Sequence, residues 1–81
     1  MEKVTAKEFK MLLAKRIKQL RTRLKLTQSE LAIKIGYKDK QVINNYEING
    51  ANPTAFNLVL LAEALEVTVD ELVNFSKLKD K

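Results

Sequence analysis

Cysteine and histidine are both missing from this chain of 81 residues, and only one proline and two glycines punctuate it. Without cysteine there is no disulfide staple and no thiol nucleophile, and without histidine the usual general base is gone. Zinc sites of the Cys/His kind are excluded with them. No apolar run approaches the ~18 residues of a membrane span, and the basic N-terminus is not followed by the apolar core of a signal peptide. The expectation is a soluble, cytoplasmic protein. The chain suits a single domain over residues 1–81, with a core of about 6–75 and a tail of 76–81. At 46% hydrophobic and 31% charged it is globular in composition.

Charge is plentiful but unevenly placed. The net value is +5. Residues 1–41 hold 12 Lys/Arg against 4 Asp/Glu, whereas residues 42–81 hold 3 against 6. A half at +8 beside a half at −3 suggests a face that meets something anionic, with nucleic acid the first candidate and a solvated helix face the ordinary alternative.

With so few breakers, helices are expected, and three starts share one device. Thr5-Ala6-Lys7-Glu8, Thr27-Gln28-Ser29-Glu30 and Thr68-Val69-Asp70-Glu71 each place Glu three residues after Thr. In such a capping box the hydroxyl accepts from the N3 amide and the carboxylate reaches back to the cap amide. Phe9, Leu12, Leu13, Ile17, Leu20 and Leu24 form a helical stripe, with Lys10, Lys15, Arg16, Lys18 and Arg23 off it, predicting a helix from about Ala6 to Leu24. A second helix, Gln28 to Ile35, buries Leu31, Ala32 and Ile35 and stops at Gly36, suited to a left-handed cap.

Asp39 is expected to cap a third helix running to about Ile48, with Ile43, Tyr46 and Val42 as its apolar members. The rest of that helix, including Lys40, Gln41, Asn44 and Asn45, is polar, and asparagine is a poor helix former. It reads either as an exposed connector or as a surface kept for hydrogen bonding. Asn49-Gly50-Ala51-Asn52-Pro53 is a loop. Thr54 caps a fourth helix with Leu58, Leu61, Ala62 and Leu65 inward, and the third box opens a fifth near Val69–Phe75. The tail from Lys77 is expected to fray. The fold class is all-α, five helices about one core.

From Thr27-Gln28-Ser29-Glu30-Leu31-Ala32 through Gly36 the sequence resembles the phage-repressor helix-turn-helix family, also called Cro-like or XRE-like. The resemblance continues through Ile43, Glu47, Asn52-Pro53, Leu61-Ala62-Glu63-Ala64-Leu65 and Val67-Thr68-Val69-Asp70-Glu71-Leu72, so it spans roughly residues 9–73. It implies a lambda-repressor-like domain in which helices 2 and 3 form the helix-turn-helix. Ala32 keeps those two helices close, Gly36 permits the reversal and Ile43 anchors the third helix in the core.

The resemblance further implies that the third helix lies in a major groove. Carried over by position, the DNA-contacting residues are Gln28, Lys38, Lys40, Gln41, Val42, Asn44, Asn45 and Asn49. Lys suits guanine O6/N7, Gln and Asn suit adenine N6/N7, and Val suits a thymine methyl. Lys38 and Lys40, with Arg23 or Lys25, are candidates for phosphate. The family also pairs the positions of Arg21 and Glu47, and a carboxylate near a helix C-terminus wants a cation. Three departures stand out: the turn Tyr37-Lys38-Asp39 is one residue longer than in the best-known phage repressors, Asn49 stands where the family usually has glycine, with Gly50 next, and Asp39 adds a negative charge near the groove, as a helix cap rather than a base contact.

The expected function is a sequence-specific transcriptional regulator, a repressor, acting as a homodimer on a pseudo-palindromic operator in double-stranded DNA. The alternative is an antitoxin or adaptor using the same fold for protein–protein interaction. No nucleophile–base pair or phosphate loop stands in the sequence, so no enzyme, cofactor, metal or small-molecule ligand is expected. Val73, Phe75 and Leu78 are either a dimer surface or, in the case of Phe75, folded back beside Phe9.

Overall fold

The structure is a computed structural model that describes residues 4–78. These form five α-helices, α1 (Ala6–Arg23), α2 (Gln28–Lys34), α3 (Gln41–Glu47), α4 (Ala55–Ala64) and α5 (Val69–Leu72), followed by one 3-10 turn, Phe75–Lys77. All three Thr-x-x-Glu sequences are closed capping boxes at the starts of α1, α2 and α5. At α2, for example, the Glu30 amide donates to the Thr27 hydroxyl at 3.0 Å and the Thr27 amide to the Glu30 carboxylate at 2.8 Å. Thr54 caps α4 through the Asn57 amide at 3.1 Å.

Three helices end by the same double bond pattern about one left-handed residue. After α2, the Gly36 amide donates to Ile33 and the Tyr37 amide to Ala32, with Gly36 at φ 95°. Lys25 (φ 60°) after α1 and Glu66 (φ 64°) after α4 hold the equivalent position, where L-residues are strained. A Cβ on Gly36 would touch nothing within 4 Å, so the need for glycine there lies in the backbone angle alone.

Leu13, Ile17 and Leu20 of α1 meet Leu31, Ala32 and Ile35, Ile43 and Tyr46, Leu61, Ala62 and Leu65, and Leu72 in one core. Each helix so contributes its apolar side, as the spacing requires. Leu24 and Leu58 are half-buried, and Val42 is half-buried against the core.

Four expectations change. The N-cap of α3 is Lys40, in right-handed geometry and with no side-chain bond of its own, not Asp39. Asp39 still takes the first amide, accepting from Gln41 at 2.9 Å, because its short carboxylate reaches two residues on. The left-handed residue after α3 is Gly50 (φ 68°), one place later than Asn49. α5 stops at Leu72 because extended Asn74 diverts the chain, its Oδ1 accepting from the Ser76 amide at 3.0 Å and starting the 3-10 turn.

The fourth change concerns Arg16, which is 6% exposed rather than solvated. Its Nε and Nη2 donate to the Glu71 carbonyl of α5 at 3.1 and 2.8 Å, and Nη1 donates to Gln19 at 2.6 Å. The carbonyls ending α5 lack helical partners, and a guanidinium supplies donors. The tail expected to fray splits: Phe75–Lys77 is the 3-10 turn, and residues 79–81 lie outside the described residues. Phe75 packs edge-on against Phe9 with ring centroids 5.7 Å apart.

Candidate nucleic-acid interface

Three polar residues from three elements meet beside α3. Arg21 of α1 donates through Nε and Nη2 to the two oxygens of Glu47, at 2.7 and 3.0 Å, and through Nη1 to the Leu26 carbonyl at 2.8 Å. Gln28, the first residue of α2, donates to the same carboxylate at 3.1 Å. The Glu47 side chain is 1% exposed and that of Arg21 11%, so the expected ion pair exists and is deeper than a surface bridge. A carboxylate this buried is tolerable only because donors surround it. Glu47 ends α3, so the network fixes that helix relative to α1 and to the start of α2.

A second clamp is not visible in the sequence. The Asn57 amide of α4 donates to the hydroxyls of Tyr37, at 2.8 Å, and Tyr46, at 3.0 Å. It ties the turn before α3 and α3 itself to α4. Burial holds the Tyr46 hydroxyl above the ordinary tyrosine range, opposed by the Asn57 bond and reinforced by Tyr37. Spacing offers no signal for such a three-element contact.

The outer side of α3 carries a different arrangement. Gln41 and Asn49 both donate to the Asn45 side-chain oxygen, at 3.0 and 2.9 Å, giving a ladder of amides one turn apart. Both lone-pair directions of the oxygen of half-buried Asn45 are used, which leaves it its NH₂ to donate, whereas Gln41 keeps its carbonyl and one N–H. Asn44 is half-buried, and Lys38, Lys40, Gln41 and Asn49 are exposed. Val42, expected both among the apolar members of α3 and among the DNA contacts, is half-buried and packs against the core. Ile48, absent from the sequence-based set, is instead 66% exposed at the end of α3. Ala32 and Ile43 lie in the core beneath, and Gly36 turns the chain between α2 and α3.

Arg23 is exposed at the end of α1. Arg16 and Arg23 are two turns apart on α1, and Arg23 acts electrostatically on both Arg16 and Glu71, toward α5.

The helix-turn-helix family model matches residues 17–72, more than half of the chain. The protein belongs to the helix-turn-helix family. With the family comes the coarse function, a DNA-binding regulator of transcription of the XRE type. Among solved structures, this helix-turn-helix protein is similar to the restriction-modification controller protein C.AhdI from Aeromonas hydrophila. That match has 30% identity and a TM-score of 0.72, covering 78% of this chain and 94% of that one. It is also similar to a hypothetical transcription factor, NHTF, from Neisseria, at 25% identity and TM-score 0.75, covering 90% of this chain and 83% of that one. No curated protein sequence matches it. Among the described residues no helix is long and apolar enough to cross a membrane.

Proposed function

We propose that the protein is a sequence-specific repressor that places α3 in the major groove and binds as a homodimer on a pseudo-palindromic operator. The observation that carries this is the contrast across α3. Its inner side is pinned by Glu47 and Tyr46, while its outer side holds a row of amides, exposed at Gln41 and Asn49 and half-buried at Asn45, with hydrogen-bonding capacity to spare. Such a row has no role in packing. In this reading Gln41 recognises adenine with its free carbonyl and N–H, the bond to Asn45 holding the amide in plane, and Asn45 donates to a neighbouring acceptor. Asn44 and Asn49 flank them, and Lys38, Lys40 and Gln28 lie toward phosphates.

Dimerisation follows from address length, since one short helix reads only a few base pairs and two half-sites about one DNA turn apart, ~34 Å, multiply the selectivity. At the C-terminal end Phe75 folds back on Phe9. The outward side of α4, with Phe56 70% exposed and Val59 one turn on, is the surface that supports a second copy.

Selection of bound sequences from a random duplex pool, repeated with Gln41→Ala, tests the reading. Wild type should enrich a two-fold motif, and the variant should lose preference at one or two base pairs, about 1–3 kcal/mol. A pool that enriches nothing would refute it and leave the adaptor function. One protomer per enriched site in sedimentation would end the dimer, and Phe56→Glu should produce that state if α4 is the contact.

A further inference from the structure

At the C-terminal end of α3 a shallow groove of about 340 Å³ opens between that helix and the first two turns of α1, lined by Lys7, Lys10, Met11, Ile48, Asn49 and Gly50. Among the described residues its charged members are both cations. The other flank of the same part of α1 borders a groove whose charged lining among the described residues is Asp70. Gly50 brings the loop after α3 against this part of α1, since a Cβ there would lie 3.8 Å from that of Lys10.

The two lysines are not explained by the helix that carries them. α1 starts at Ala6, so Lys7 sits in its first turn and Lys10 just beyond, where a cation opposes the helix dipole. Neither do Met11 and Ile48 serve the core, being 53% and 66% exposed. The groove is continuous with the amide ladder: Asn49 is both its wall and the last rung, and Ile48 lies on the same side of α3 as Gln41 and Asn45.

We propose that this groove seats the sugar–phosphate strand flanking the bases read by α3. Lys7 and Lys10 meet successive phosphates, and Met11 and Ile48 meet the apolar faces of the intervening deoxyriboses. Alternating cationic and apolar walls match a strand that alternates anionic and apolar units. An acidic peptide offers the same charge but no continuity with the reading helix. The inference rests on the DNA-reading function proposed above.

The test uses the full chain and two duplexes built on the sequence enriched from the random pool. One carries long flanks and the other is trimmed at the edges of the bases read. On the long duplex, Lys7→Ala/Lys10→Ala should bind more weakly, with a log affinity–log salt slope shallower by about 1.8 per bound protomer, at about 0.9 for each phosphate no longer neutralised. On the trimmed duplex the variant and wild type should bind alike, and Lys7→Arg/Lys10→Arg should keep the wild-type slope on both. An unchanged thermal midpoint shows that the fold is intact. Equal slopes on the long duplex, or an equal deficit on both duplexes, would overturn the groove while leaving the reading helix standing. Wild type that binds neither duplex would overturn both proposals.

Discussion

Arg16 and Arg21 leave the same helix for different neighbours, and both are largely buried. Arg21 meets a carboxylate, a carbonyl and, through Glu47, the amide of Gln28. Arg16 meets a backbone carbonyl at the end of α5 and one glutamine. Burial and its positive neighbour Arg23 hold the Arg16 guanidinium below the ordinary arginine value, against the pull of Glu71. Arg21 therefore neutralises a charge that would be stranded without it, whereas Arg16 satisfies a dipole that has another donor, the Asn74 amide at 3.2 Å. One residue fixes the reading helix, and the other closes the far end of the domain.

The largest effect should come from breaking the first arrangement. Arg21→Met leaves the Glu47 carboxylate buried with only Gln28 to answer it, at about 3–5 kcal/mol in denaturant unfolding. Adding Glu47→Leu should recover most of that loss, because the stranded charge goes with it. A double variant as unstable as the single one would show that packing, not charge, is what Arg21 supplies. Arg16→Met should cost less, about 1.5–3 kcal/mol, and should leave discrimination between specific and random DNA unchanged. If Arg16→Met relaxes base preference, the two arginine sites are not independent.

The helix ends on the two sides sharpen the contrast further. Gly36 between α2 and α3 and Glu66 between α4 and α5 occupy the same left-handed position in the same bond pattern. Gly36→Ala should lose about 1–2 kcal/mol from backbone strain alone. Glu66→Gly should gain up to about 1 kcal/mol, the relief being partly offset by the freer unfolded chain. Thermal unfolding of the pair checks both signs.

The smallest expected effect is in acid. The Glu71 carboxyl lies below the ordinary glutamate range, chiefly through the Thr68 amide against some desolvation, with the Thr68 hydroxyl, Arg16 and Arg23 adding to it. Its contribution to stability is present above the unfolded-state value and is lost as pH falls through the lower folded value. Glu71→Gln should lower the melting temperature slightly at neutral pH and converge on wild type in acid, which flattens that limb.

The same two arginines show what can be read from residues alone. Arg21 and Glu47 are both charged, and their pairing is legible because each partner has a side chain that advertises it. Arg16 reads as solvent-facing because its partner is a backbone carbonyl, which no residue type reveals. The capping boxes mark three helix starts since their two bonds are local in sequence. Asn74 ends α5 early by an equally local bond, but asparagine fits many contexts and its choice is settled by the fold of Phe75 onto Phe9. At the candidate site the polar side of α3 is legible from composition. The exchange of Val42 for Ile48 as the exposed apolar residue is not, because the longer turn and the start of α3 at Gln41 set which side faces out. The clamp by Asn57 joins residues 11 and 20 positions apart and leaves no periodic trace.

That clamp gives the molecule an optical handle of its own. The chain has two tyrosines and no tryptophan, and both phenols share the one Asn57 amide at the turn leading into α3. Tyrosine emission from this protein thus originates wholly at the joint between the reading helix and its support, so a shift in that joint is recorded without any attached dye.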